Sequence, residues 1–265
     1  MPRPRSARDG GGRFGTRLMV APTWLPIVMY HRILERGGQS GADPYSVSVD
    51  LLEAQLDWFA SHSFAPVPLD LALQVPAPGE TRRFAVTFDD GYADCLELAL
   101  PVLRSRGVPA TVFVVSKAVG GHADWDGGAA ILSRDGLREL HSEGVFIGSH
   151  GRTHRRLAGL PRHELESEVW GSKSDLEDLL GTAVRHFAYP HHSFDRDVVE
   201  VVRDGGYDGA AGGHEATHDR FNLHRIDAVK FGRPSLALRI RGVHRRARRL
   251  PVPPPVRKLL GAAIT

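Results

Sequence analysis

Two segments of this chain carry residue types suited to hydrolysis: Thr87-Phe88-Asp89-Asp90-Gly91 and His150-Gly151-Arg152-Thr153-His154. The first sets two carboxylates side by side after an apolar run, Phe84 to Phe88. The second sets two imidazoles four residues apart after another run, Val145 to Gly148. One carboxylate and two imidazoles form an oxygen/nitrogen donor set that suits zinc and similar divalent metals. The leftover carboxylate is then placed to take a proton from an attacking water. Neither segment is specific alone. An Asp pair at a strand end also caps helices or forms Asx-turns, and Arg152, Arg155 and Arg156 give the second segment the look of a solvated loop. Together they describe a hydrolase site, and Gly91 lets the backbone approach a ligand closely.

The elements that must position these groups follow from the hydropathy pattern. Strands are expected at Pro26–Tyr30, Phe84–Phe88, Ala110–Val115, Val145–Gly148, His186–Tyr189 and Asp208–Ala211. Helices are expected at Asp50–Ser61, Ala93–Arg106, Arg134–Glu143, Pro161–Leu180 and Arg196–Asp204. Asp94 or Tyr92 opens the second of these and Gly107 closes it; Ser133 precedes the third, and Gly181 ends the fourth. Such alternation means an open doubly wound sheet or a (β/α) barrel. His31, Asp89, Asp90, Ser116, His150 and His191 each follow a strand's C-terminal end, the edge where both architectures bind ligands.

The 265 residues, 42% hydrophobic and 25% charged, suit one large domain, expected over 21–235. Residues 1–20 are Arg/Gly-rich and expected to be a disordered basic arm. The lone Cys95 excludes an internal disulfide and fits a reducing compartment. No apolar run reaches the roughly eighteen residues of a membrane span. Pro22 and Pro26 interrupt the apolar stretch Leu18–Tyr30, which argues against a signal peptide and for a cytoplasmic protein, peripheral to the membrane at most. The formal charge of +3 hides a basic segment: Lys230 to Lys258 holds ten Lys/Arg and no Asp/Glu. This Pro-containing tail, 236–265, reads first as a solvated, partly disordered segment; as an interaction surface it suits an anionic membrane or a phosphorylated carrier. No nucleic-acid-binding motif accompanies it, so no specific nucleic acid is expected.

Thr87–Asp90, Ser149-His150-x-x-x-His154 and Phe187-Ala188-Tyr189-Pro190 resemble the motifs of the polysaccharide deacetylases (NodB-like, carbohydrate esterase family 4). The opening Pro26-Ile27-Val28-Met29-Tyr30-His31-Arg32-Ile33 is similar to the branch that includes bacterial poly-N-acetylglucosamine deacetylases, and the resemblance runs from about Pro26 to Ile226. It implies a distorted (β/α) barrel and a metal-dependent N-deacetylase of acetamido sugars. Carried over by residue, Asp90, His150 and His154 bind the metal, with zinc first and cobalt, nickel or another divalent metal as alternatives. Asp89 is the general base. The amide of His191, after Pro190, stabilises the oxyanion, with Tyr189 and Pro190 on the substrate side. His31 supplies the acid that protonates the departing amine, and an imidazole suits that task; His224 is the competing acid.

The chain also departs from the family pattern. Ala188-Tyr189-Pro190-His191 lacks the arginine that orients the base, and His191 and His192 stand where an aromatic and a glycine are usual. The lost glycine implies a different backbone turn or substrate contact. Asp208 and Asp195 are candidates for a fourth motif, Asp195 more simply as a helix N-cap. Trp125, in the loop Ser116–Ala130, either stacks on a sugar or tucks against the barrel; Trp24, Trp58 and Trp170 read as packing residues. Two other functions fit the residues: C–N hydrolysis of a non-sugar amide or cyclic imide on the same metal, and a catalytically silent carbohydrate- or membrane-binding module.

Overall fold

The computed structural model describes residues 26–39, 44–72, 82–213 and 218–229. The expected N-terminal arm, the basic tail and Trp24 lie outside them. In chain order the strands are β1 (Ile27–Tyr30), β2 (Arg32–Leu34), β3 (Ser46–Ser48), β4 (Phe64–Pro66), β5 (Arg82–Phe88), β6 (Ala110–Val114), β7 (His122–Ala123), β8 (Ala129–Ala130), β9 (Phe146–Ser149), β10 (His186–Ala188), β11 (Gly209–Ala211), β12 (His218–Asp219), β13 (Asn222–Leu223) and β14 (Ile226–Asp227). The α-helices are α1 (Val49–Ser61), α2 (Leu69–Ala72), α3 (Leu100–Arg106), α4 (Arg134–Ser142), α5 (Arg162–Leu180) and α6 (Arg196–Asp204).

Uninterrupted apolar runs form parallel strands covered on both faces: every residue of β1 and β6 is buried. The main sheet runs β12-β13-β11-β10-β9-β6-β5-β1-β14, with β4 added at β5, and among the described residues only its β12–β13 pair is antiparallel. It curls into the distorted (β/α) barrel expected, with helices on its outer face. Register aligns the strand ends, Tyr30 with Phe88, Phe88 with Val112 and Val114 with Ser149. The residues that follow these strands therefore emerge at one rim.

Alternation along the strands separates two cores. Val28, Val86, Val112 and Phe187 face the helices with Leu52, Phe59, Leu103 and Val169. Ile27, Ala85, Phe113, Ala188 and Ala211 line the concave face. Small residues there leave room for one ring: a Cβ at Gly148 would lie 2.5 Å from Cδ1 of Phe113. The helix expected over 93–106 is split. Pro101 has no N–H to continue the ladder, and the turn Cys95–Ala99 widens so that Leu100 N–H reaches the Cys95 carbonyl. Asp94 makes no capping hydrogen bond, contrary to its expected role. Ser133 does cap α4 through the N–H of Gly136, and Gly107 and Gly181 end α3 and α5 in the left-handed conformation.

Candidate active site

The loops after β5 and β9 bring Asp90, His150 and His154 together. Asp90 Oδ1 lies 3.3 Å from His150 Nε2 and 3.2 Å from His154 Nε2. One donor atom from each of the three residues falls within 4.8 Å of the others, and all three side chains are buried. Both Asp90 (φ 72°) and His154 (φ 60°) hold left-handed backbone, which non-glycine residues keep only where their surroundings impose it. His150 Nδ1 bonds the Ala188 carbonyl at 2.8 Å. A carbonyl only accepts, so the proton sits on Nδ1 and Nε2 presents a lone pair toward Asp90.

These donors fit a divalent cation. Asp90 Oδ1 is buried without a hydrogen-bond partner, and an acceptor oxygen facing an imidazole lone pair calls for positive charge between them. Burial pushes the Asp90 pKa up, but the adjoining imidazoles of His150 and His154, with the charge of His31, bring it well below the carboxylate range. Burial likewise lowers His150, yet Asp89 and Asp90 leave it raised. Both shifts mark a place that draws a cation.

Asp89 is tethered from a direction the sequence did not suggest. Arg225, fully buried, donates from Nη1 to Oδ1 at 2.6 Å and from Nη2 to Oδ2 at 2.7 Å. Its Nε donates to the Gly212 carbonyl at 2.9 Å, and its guanidinium lies 5.6 Å from the Phe113 ring centroid. Arg225 immediately precedes β14, which pairs with β1 at Val28↔Ile226, so its side chain climbs the concave face to the rim. Burial pushes the Asp89 pKa up; the charge of Arg225, aided by His150 and His31, outweighs it and holds the group at about 2. The third motif, Ala188-Tyr189-Pro190-His191, supplies no arginine, and Asp89 thus receives one from just before β14. Its signal in the sequence is a lone charge between Leu223 and Ile226.

A cavity of about 330 Å³ opens above these groups, lined among others by His31, Tyr45, Trp125, Asp126, His191 and Asp227. His31 Nε2 stands 4.0 Å from Asp89 Oδ2. His224 is buried and is not among the lining residues. Tyr45, 48% exposed, lies beside His31 with ring centroids 5.2 Å apart. Trp125 packs its ring on His154, centroid to centroid 4.2 Å, so this face of the indole meets the imidazole of a candidate ligand.

The remaining candidates separate. Tyr189 borders the cavity, but its hydroxyl donates to the Phe221 carbonyl at 2.8 Å and its ring stacks on Phe194. Pro190 is buried against Gly151, where a Cβ would come within 3.2 Å of its Cγ. His191 Nε2 donates to the His154 carbonyl at 3.0 Å, and burial followed by the His154 and Arg156 charges lowers its pKa. His191 and His192 both keep positive φ, 53° and 52°. Left-handed backbone is the conformation a glycine adopts without steric cost, and here two histidines hold it. Asp195 caps α6 through the Val198 N–H, and Asp208 pairs with Arg185, so neither reaches the site. Trp58 stacks on His62 and Trp170 donates to the Val201 carbonyl, as packing residues do. Asp126 comes from the loop Ser116–Ala130 that the sequence placed near the site, whereas Tyr45 and Asp227 went unnoticed, as nothing in the sequence marks them.

A profile of the family described as polysaccharide deacetylase matches residues 77–210. YxkH of Bacillus subtilis (strain 168) is 26% identical over 212 residues, 77% of this chain and 71% of the relative. The poly-beta-1,6-N-acetyl-D-glucosamine N-deacetylase of Staphylococcus aureus (strain MRSA252) is 24% identical over 173 residues, 61% of this chain and 59% of that protein. Among solved structures, the Streptococcus pyogenes deacetylase PplD in complex with acetate superposes with a TM-score of 0.66 at 22% identity, covering 78% of this chain and 93% of that one. IcaB from Ammonifex degensii gives 0.67 at 22% identity, covering 80% and 94%. Family profile and shared fold agree: this chain belongs to the polysaccharide deacetylase family.

Proposed function

We propose that this protein is a metal-dependent N-deacetylase of an acetamido sugar. One observation carries the reading: Asp90, His150 and His154 converge beside an arginine-tethered Asp89, with His31 4.0 Å away, in the floor of one cavity. Held by Asp90, His150 and His154, a divalent cation, zinc first, would supply Lewis-acid charge and make water acidic enough to attack an acetamide at neutral pH. Asp89, ionised and fixed by Arg225, accepts the proton of the attacking water. The backbone N–H of His191 faces the charge that develops on the acetyl oxygen. His31 gives its proton to the departing sugar amine, which needs one because an amide anion leaves poorly. Tyr45, beside His31, offers an apolar face to the sugar ring.

Acetate release from N-acetylglucosamine oligomers should disappear after chelation and return with added zinc or cobalt. Full activity in chelator would reject the metal, and a restored enzyme that cleaves cyclic imides but not acetamido sugars would reject the substrate class. Asp89→Asn should abolish turnover while metal stays bound; a silent binding module would be indifferent to it. The cytoplasmic location, and docking of the basic tail to an anionic surface or phosphorylated carrier, belong to this proposal on charge and sequence alone.

A further inference from the structure

We infer that Glu168 is a positioning residue for the metal-ligand loop: from α5 its buried carboxylate fixes the backbone that joins His150 to His154. The inference rests on the metal site proposed above and names a residue outside it. Glu168 Oε2 accepts from the backbone N–H groups of both Arg152 and Thr153, each at 2.9 Å, and Oε1 accepts from the Thr153 hydroxyl at 2.6 Å. The residue is only 5% exposed. A buried carboxylate is costly without partners, and all three of these come from the two residues midway between the imidazoles.

Two further residues of α5 share the task. Glu168, Ser172 and Asp175 are spaced four and three apart, which places them on one helix face. Ser172 Oγ donates to the Val169 carbonyl at 3.0 Å and meets Ser149 Oγ at 2.5 Å, and Ser149 Oγ accepts from the Gly151 N–H at 3.2 Å. Asp175 accepts from Ser116 Oγ at 2.8 Å and from the Arg152 guanidinium at 2.9 and 3.1 Å. With the His150 N–H on the Val114 carbonyl, every backbone N–H from 150 to 153 is committed. The loop needs this support, because Gly151 (φ 76°) and His154 (φ 60°) are left-handed. A Cβ at Gly151 would lie 3.5 Å from Glu168 Oε2. The carboxylate and the loop are closely fitted.

The test compares Glu168→Leu, Glu168→Gln, Thr153→Val and, as a control, Leu176→Ala, a core truncation on the same helix. Zinc dissociation constants come from chelator competition, and amide hydrogen exchange at Arg152 and Thr153 is read on the full chain. Glu168→Leu should weaken zinc by roughly ten- to a hundredfold, the usual effect of losing an outer-shell partner, and speed exchange at both amides. Glu168→Gln, which keeps one acceptor oxygen, should fall between it and wild type. Leu176→Ala should lower the melting temperature and leave zinc affinity alone. The inference is overturned if Glu168→Leu binds zinc within about twofold of wild type, or if Leu176→Ala weakens zinc as much. Should Glu168→Leu not fold, unchanged zinc affinity and exchange in both Glu168→Gln and Thr153→Val overturn it equally. A wild type that binds zinc but releases no acetate defeats the deacetylase reading and leaves this series intact; one that binds no zinc, cobalt or nickel defeats both.

Discussion

Replacing Arg225 should damage the proposed base, Asp89, more than the proposed metal site. Arg225 and Asp89 form a bidentate pair, with side chains 0% and 2% exposed. The pair holds Asp89 at about 2 against an ordinary 3.8, in spite of full burial. Arg225→Met leaves a buried carboxylate without its main counter-charge, a loss of about 3–5 kcal/mol for pairs of this kind. Asp89 should then shift upward and lose its fixed orientation. As a positioned general base is worth roughly 10²–10⁴ in rate, kcat at pH 7 should fall within that range, with KM changed little. The wild-type base is ionised above about pH 2, so the variant should gain an acid limb that the wild type lacks. Arg225→Lys keeps the charge without the two-pronged geometry and should be intermediate. The assay is acetate release from N-acetylglucosamine oligomers between pH 5 and 9, paired with urea unfolding. In unfolding, Asp89→Asn should reduce the cost of Arg225→Met, because both partners are then neutral. A variant with wild-type kcat and an unshifted pH profile would refute the tether.

Other outcomes follow from the same geometry. His31→Gln should lower kcat by roughly 10²–10⁴, whereas His224→Gln should leave kcat of the folded enzyme near wild type; the reverse order would make His224 the acid. Burial lifts the Asp94 pKa from 3.8 to about 7, against its contacts with the Ile33 backbone and Arg32. The folded state therefore binds the proton more tightly, and stability falls as pH rises from about 4 to 7, by up to roughly 4 kcal/mol at 1.4 per unit. Asp94→Asn should accordingly raise the melting temperature at pH 8 and do little at pH 4; equal effects at both would sink this account. Tyr45→Ala should raise KM for the oligomers about fivefold, near 1 kcal/mol for a lost ring contact, and an unchanged KM would remove Tyr45 from the sugar site.

How far the sequence could be read depends on the range of each interaction. Apolar runs ending at Phe88 and Gly148 identify strands whose ends meet at one rim, because parallel register aligns them. The ligand set is legible for the same reason: Asp90 and His150 come within two residues of a strand end, and His154 follows His150 by four. The Arg225 tether is not, since it spans 136 positions and depends on β14, two residues long and too short for any periodicity. Glu168, Ser172 and Asp175 show helical spacing in the sequence, but polar residues at that spacing ordinarily face solvent. Only packing reveals that they face a loop. The backbone at His192 is likewise not legible in the residue type: a histidine gives no hint of positive φ, yet φ is 52° there, at the steric cost such conformations carry.

The Phe113 ring and the Arg225 guanidinium occupy the concave interior beneath Asp89, both fully buried. Traffic through the bottom of the barrel is thereby blocked, and the mouth serves as both entrance and exit. In the proposed reaction the two-carbon acid lies beneath the deacylated sugar and leaves after it. Kinetics should show that sequence as acetate inhibiting competitively with the substrate.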